Sequence, residues 1–286
     1  MLTARRKVLA MLRDQKLTIE DAEEMLDLVE PDPTRQPSIP RAEYVGDSEW
    51  ARRFRERLQA LARERGPVLV EGEEGTGKMQ ATQVIHYWSR RASGPLVNLE
   101  CTGAAETTDI ELFGLDGSGG RVTKRAALDM AHRGTLALGN PEMLSRDSQQ
   151  RLLRFLRSGS FNRVGGGEPV QADVRVVAIS HQKVGDLVEV GSFDGDLYSA
   201  FADGVARTEP LRDHPEDVVA MARYFLENLA QRDGRRLVLS EAAEKALVAP
   251  RDWHQNMREL WSMLRHAATA CTGDEIMPEH LPTLGG

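Results

Sequence analysis

The segment Gly72-Glu73-Glu74-Gly75-Thr76-Gly77-Lys78 sets glycines and a lysine at the spacing G-x-x-x-x-G-K. Glycine lets a backbone wrap closely around a phosphate. The N–H groups and dipole of the helix that follows point at the anion, and the lysine adds a charge for the outer phosphates of a nucleotide. Met79 comes next, where many such loops place a hydroxyl on Mg²⁺. A thioether cannot do that, so Mg²⁺ has no evident protein ligand. The eight residues from Gly72 to Met79 are the candidate nucleotide contacts. The plainer alternative, a glycine-rich turn ahead of an exposed helix, is disfavoured by the strand Val68-Leu69-Val70 on one side and a helical stretch on the other.

Other chemistries find no support. The 7 histidines show no metal-ligand spacing, and His132 and His266 fit helix surfaces or lid positions. No Ser-centred hydrolase elbow occurs, since Gly117-Ser118-Gly119 sits in a flexible loop. The 2 cysteines, Cys101 and Cys271, cannot form a disulfide framework and fit a reducing compartment. Cys101 is expected to be structural, and Trp253 and Trp261 core.

The elements that must carry the loop follow from the pattern of apolar residues. Strands are expected at Pro67–Glu71, Leu96–Leu99, Thr135–Leu138 and Val174–Ile179. Helices are expected at Glu49–Arg65, Met79–Arg91, Lys124–His132 and Ser145–Arg157. Alternating strands and helices imply a parallel sheet covered on both faces. After His214 the pattern turns purely helical, with helices over 215–233, 240–247 and 256–270. Ahead of the α/β part, residues 1–30 predict a two-helix hairpin. Pro31, Pro33, Pro37 and Pro40 then make an extended linker over 31–43.

From Val45 to about Pro282 the sequence resembles the central AAA+ domain of sigma-54-dependent transcriptional activators, the bacterial enhancer-binding proteins. The phrases that carry the resemblance are Gly72–Lys78, Glu111-Leu112-Phe113-Gly114, Gly134-Thr135-Leu136, Gln150–Leu156 with Gly159–Gly166, Val174–Ala178, Phe193 with Asp196-Leu197-Tyr198, and Trp253 with Asn256–Leu260. The resemblance implies a Rossmann-like P-loop AAA+ fold. A nucleotide-binding α/β subdomain would span 44–210 and a helical lid 211–286. It also implies ATP or ADP as ligand, ring assembly and action on sigma-54 RNA polymerase. Arg258 matches the lid arginine that senses the γ-phosphate. Residues 1–30 resemble a SHOCT-like helical hairpin in the run from Met11 to Leu26.

The departures from the family fall on the hydrolytic positions. Where the family has the Walker B aspartate and glutamate, this chain has Gly139 and Asn140. Glu142, past Pro141, would have to swing back into the site to substitute. Where the family reads Phe-Arg-Glu-Asp-Leu-Tyr-Tyr-Arg, this chain has Asp194 and Ala200 in place of the two arginines. An arginine finger is worth roughly 10³–10⁵ in turnover, and Asp194 facing a neighbour's phosphate would repel it. Glu100 stands where the family has the Asn that switches the catalytic glutamate. Ser180-His181 replace Thr-Asn, and the sigma-contacting Gly-Ala-Phe-Thr-Gly-Ala loop is lost after Gly114.

The chain has 286 residues, 41% of them hydrophobic and 28% charged, with a formal net charge of −7. No apolar run reaches the ~18–20 residues of a membrane span, and no secretory signal opens the sequence, so cytoplasm is the expected location. Net acidity argues against broad phosphate-backbone binding, and no DNA-binding domain is evident after the lid. The expectation is a regulatory module that binds ATP or ADP with little or no hydrolysis. Its expected partners are proteins, either itself or another activator of the family, in a homo- or hetero-oligomer. The alternatives are an active remodelling ATPase and a scaffold that binds no nucleotide.

Overall fold

The computed structural model describes residues 44–102, 104–117 and 122–282. The hairpin and linker expected over 1–43, and the glycine-rich stretch after Gly117, lie outside the described residues.

The first helix, α1 (Glu49–Arg63), begins where the Ser48 hydroxyl accepts the Ala51 N–H at 2.9 Å. That bond satisfies one of the N–H groups a helix start leaves without a partner. Ala51, Phe54, Leu58, Leu61 and Ala62 make its buried stripe. Strand β1 (Val68–Glu71) follows and is buried along its whole length. Helix α2 (Lys78–Tyr87) opens on Gly77 in the left-handed region. Strand β2 (Leu96–Glu100), helix α3 (Ala105–Phe113), the small antiparallel pair β3 (Leu115–Asp116) and β4 (Val122–Lys124), and helix α4 (Ala127–Met130) lead to β5 (Thr135–Gly139). Helix α5 (Arg146–Ser158) is capped by Ser145 and closed by Gly159 at φ 70°. A second antiparallel pair, β6 (Ser160–Asn162) and β7 (Pro169–Gln171), precedes β8 (Arg175–Ser180).

Helices α6 (Val184–Glu189) and α7 (Gly195–Ala200) then lead to the last core strand, β9 (Val205–Arg207). The central sheet has five strands in the order β2-β5-β8-β1-β9, all parallel. Its inner strands β1, β5 and β8 are buried throughout, as a sheet covered on both faces requires. Successive side chains serve opposite layers. Val68, Val70 and Val177 pack with Phe54, Leu58 and Ile85 from α1 and α2. Leu69, Leu136, Leu138, Val176 and Ala178 pack with Phe113, Leu128, Leu152 and Phe155 on the other face.

Beyond β9 come helices α8 (Asp217–Asp233), α9 (Glu241–Val248) and α10 (Met257–Ala270), packed around Trp253, Leu260 and Leu264. This part is not purely helical. Strands β10 (Val238–Leu239) and β11 (Glu275–Ile276) form a short parallel pair. Trp253 and Cys101 are buried as expected, and Trp261 is half-buried against Phe225. Two further expectations need correcting. Lys124 belongs to strand β4, so α4 is confined to one turn, and β9 is a strand the apolar pattern did not reveal. Among the described residues, no helix is long and apolar enough to cross a membrane.

Candidate functional site

The loop from Gly72 to Lys78 joins β1 to α2 at the carboxyl ends of the parallel strands, where such sheets bind ligands. Its glycines are dictated by close approach as well as by backbone angle. Gly75 has φ 76°, and a Cβ there would lie 2.0 Å from the Gln255 carbonyl oxygen. Gly77 has φ 86°, and a Cβ there would lie 2.3 Å from Met257 Cε. Thr76 ties the turn, donating to the Glu73 carbonyl at 2.8 Å and meeting the Thr208 hydroxyl at 2.6 Å. The buried Tyr44 hydroxyl donates to the Thr76 carbonyl at 2.8 Å.

Lys78 is only 5% exposed. Its ammonium donates to the Gly72 and Glu73 carbonyls at 2.8 and 2.5 Å. Burial pushes its pKa down to about 8, against the pull of the Glu74, Glu142 and Glu100 carboxylates, while Arg258 adds to the lowering. All four charged groups therefore act on the lysine. Met79, the second residue of α2, brings no oxygen to it.

The region after β9 reaches back onto the loop. Asn256, fully buried at φ 51°, donates to the Glu74 carbonyl at 2.8 Å and accepts the Leu211 N–H at 2.7 Å. The Met257 N–H donates to the Gly75 carbonyl at 3.0 Å. Arg258 pairs with Glu74, and Arg212 grips Glu73 with two bonds of 2.7 and 2.6 Å, holding the Glu73 carboxyl below its usual range. At the other end of this clamp, the buried Asp217 carboxylate accepts from the Asp47 N–H, the Ser48 N–H and the Ser48 hydroxyl at 2.7, 2.6 and 2.7 Å. Asp217, Arg212, Thr208 and Tyr44 had no signal in the sequence, and Asn256 showed only as part of the Asn256–Leu260 phrase. Each owes its role to contacts between distant segments.

The positions where the sequence leads one to expect acids and arginines are rebuilt. Gly139 ends β5 and Asn140 follows at φ 53°. The Asn140 amide donates to Glu100 Oε2 at 3.2 Å. Glu142 lies in the short 3₁₀ turn Pro141–Met143 and reaches Ser180, whose carbonyl accepts the Gly72 N–H of the loop. Its Oε1 accepts from the Ser180 hydroxyl at 3.2 Å, and burial raises its pKa. His181, beyond β8, has its pKa lowered by burial and then by Lys78. Asp194 does not project into solvent. It is 4% exposed, caps α7 by accepting the Leu197 N–H at 2.9 Å, and takes a bond from Gln150. The cap bond from Leu197 holds its pKa low, so the carboxylate is kept charged at the start of α7. Ala200 ends α7 without a polar group. No group of three His, Cys, Asp or Glu that could hold a metal ion occurs among the described residues.

The contacts from Asn256, Met257 and Arg258 decide the class. Many folds carry a phosphate loop after their first parallel strand. A mainly helical subdomain that follows the last strand and bonds back onto that loop is the arrangement of P-loop AAA+ proteins, and this chain has it.

Comparison with known proteins narrows the class to a family. The sigma-54 interaction domain matches residues 44–203, and the AAA+ ATPase lid domain matches residues 212–284. The chain belongs to the family of sigma-54-dependent activators. It is 35% identical over 228 residues to a Nif-specific regulatory protein of Azotobacter vinelandii, covering 78% of this chain and 44% of that protein. It is 33% identical over 246 residues to a Nif-specific regulatory protein of Rhizobium leguminosarum bv. trifolii, covering 85% of this chain and 69% of the other. Among solved structures, NtrX from Brucella abortus in complex with ATP superposes with a TM-score of 0.77 at 27% identity, over 91% of this chain and 60% of NtrX. The same protein has been crystallised with ADP. The chain thus spans about half the length of several of the relatives it matches.

Proposed function

We propose that this chain is a nucleotide-binding regulatory module of the sigma-54-activator type, which takes ATP or ADP and hydrolyses it slowly or not at all. The observation that carries the reading is the joined loop and lid. Gly75 and Gly77 let the Gln255 carbonyl and Met257 close onto the loop, Lys78 lies buried at the start of α2, and Arg258 pairs with Glu74 of the loop. These residues fit a nucleotide's phosphates. The loop backbone and the α2 N-terminus cradle them, Lys78 neutralises their charge, and Arg258 is placed to trade Glu74 for a phosphate. NtrX, similar in fold and sequence, has been crystallised with ATP and with ADP.

Slow hydrolysis is inferred from the rebuilt half. Bound ATP would supply a scissile phosphoanhydride. Phosphoryl transfer depends on positioned, charge-neutralising groups. Here Asn140 is an amide held by Glu100, and α7 offers no arginine. The module would act in transcription regulation in the cytoplasm through protein partners, either its own copies or another family activator. Residues 1–30 would contribute the docking or oligomerisation element, joined by 31–43 to an α/β part over 44–210 and a lid over 211–286.

Calorimetry of ATP and ADP binding, paired with a phosphate-release assay, tests this reading. Wild type should bind both nucleotides with negligible turnover, and Lys78→Ala should lose at least about tenfold in affinity, or ~1.4 kcal/mol. Full affinity in the Lys78→Ala protein would sink the reading. Turnover abolished by Lys78→Ala would establish an active ATPase in its place.

A further inference from the structure

Strands β2 and β5 end in register, with Glu100 opposite Gly139. A Cβ on Gly139 would lie 1.9 Å from Glu100 Oε2 and 2.5 Å from Oε1. The Glu100 carboxylate therefore fills the place that a side chain at position 139 would take. The Asn140 amide holds one of its oxygens at 3.2 Å. An acid missing from one strand is supplied by its neighbour, and an amide from the first strand orients it.

A second carboxylate lies one strand over: Gly139 pairs with Ile179, and Ser180, the next residue of β8, bonds Glu142. One oxygen of Glu142 is bonded by Ser180, while Oε2 is buried with no hydrogen-bond partner. A buried carboxylate oxygen left without a donor is costly, so it calls for a ligand. Ser180 pairs with Glu71, and its carbonyl accepts the Gly72 N–H at 3.3 Å, so these strand ends adjoin the start of the phosphate loop.

We propose that Glu100, seated over Gly139, and Glu142 together form a Mg²⁺ site that is completed by the phosphates of the nucleotide. The assignment rests on the nucleotide reading above. Mg²⁺ keeps several waters and is held by one or two carboxylates plus substrate phosphates, so two acids suffice without a hydroxyl at Met79. Two acids alone are too few to retain the ion, so it is expected to bind only with nucleotide. Asn140 is a positioning residue here, holding Glu100 Oε2 toward the loop.

The test compares ATP affinity by calorimetry with Mg²⁺ and with EDTA, for wild type and for Glu100→Gln. Mn²⁺ with ATP, followed by electron paramagnetic resonance, reports the ion directly. Glu100 is exposed, so the isosteric amide should leave the fold intact. Wild type should bind ATP roughly tenfold tighter with Mg²⁺. Glu100→Gln should bring that ratio close to one and broaden no Mn²⁺ signal, while its affinity in EDTA stays equal or rises. Gly139→Ala, which pushes the carboxylate aside, should do the same. A Mg²⁺ advantage that survives Glu100→Gln overturns the assignment. ATP bound equally with Mg²⁺ and with EDTA by wild type overturns it alone. ATP bound in neither medium overturns the nucleotide reading and this assignment with it.

Discussion

The two halves of the phosphate site are built on different materials. The loop-and-lid half is made of main chain: glycines at positive φ, carbonyls gripped by Lys78, Asn256 and the Met257 N–H, and a Gln255 carbonyl pressed on Gly75. The half at the ends of β2 and β5 is made of side chains that reach across from one strand to the next, with Glu100 over Gly139 and Asn140 on Glu100. Main-chain geometry tolerates few changes, because only glycine fits. Side-chain geometry can move a carboxylate from one strand to its neighbour and keep the charge in place. The difference teaches that a lost acid at one position is not a lost charge in the site.

If that contrast holds, the largest effects belong to the first half. Gly75→Ala would force a left-handed angle on alanine and drive a Cβ into the Gln255 carbonyl at 2.0 Å. The angle alone costs about 1–2 kcal/mol, and a backbone carbonyl cannot rotate away as a side-chain tip can. A total loss on the order of 3 kcal/mol should lower Tm by roughly 6–12 °C for a domain of this size and abolish nucleotide binding. Differential scanning calorimetry with and without ATP measures both. A Gly75→Ala protein with wild-type Tm would break the comparison at its strongest point.

How much of this was legible beforehand follows the same division. Gly72–Lys78 could be read from spacing because its work is done by backbone that only glycine permits. The inner strands β1, β5 and β8 showed as continuous apolar runs. Strand β9, Val205–Arg207, did not, being three residues long with a single fully buried side chain, Ala206. Helices α3, α6 and α7 were too short for a periodic stripe to stand out. The site was missed by one residue at two places. The apolar pattern stops β2 at Leu99 and β5 at Leu138, yet each strand continues one position further, to Glu100 and Gly139. That extra rung sets acid opposite glycine. In the sequence, Glu100, Gly139 and Asn140 are separate departures from the family pattern. Strand register makes them one arrangement, and register between β2 and β5 is not a property of either segment alone.

In the second half the expected effects are smaller and depend on one another. Gly139→Asp returns an acid to β5 but sets it against the Glu100 carboxylate. Glu100 is the exposed end of a flexible side chain and can yield, so the cost should be about 1 kcal/mol, mainly like-charge repulsion at a partly solvated site. Combined with Glu100→Asn, that cost should vanish. Urea unfolding of the two single variants and the double variant gives the coupling energy directly. Additive effects would mean that the two positions do not share a space.

The smallest effect on stability, and the sharpest on ligand choice, should come from Glu74→Ala. Glu74 and Arg258 are 59% and 60% exposed, and an ion pair so open to solvent adds ~0.5 kcal/mol or less. Tm should therefore shift by no more than about 2 °C. The pair nonetheless engages the one guanidinium that faces the loop from α10. With the carboxylate removed, a negative charge beside the phosphates is lost and Arg258 is released to meet them. ATP affinity should rise about three- to tenfold, or ~0.7–1.4 kcal/mol. ADP should gain less if the arginine reaches the outermost phosphate. Equal gains for ATP and ADP would place Arg258 nearer the inner phosphates. No gain for either would show that Glu74 and Arg258 belong to the scaffold of the loop rather than to its ligand contacts.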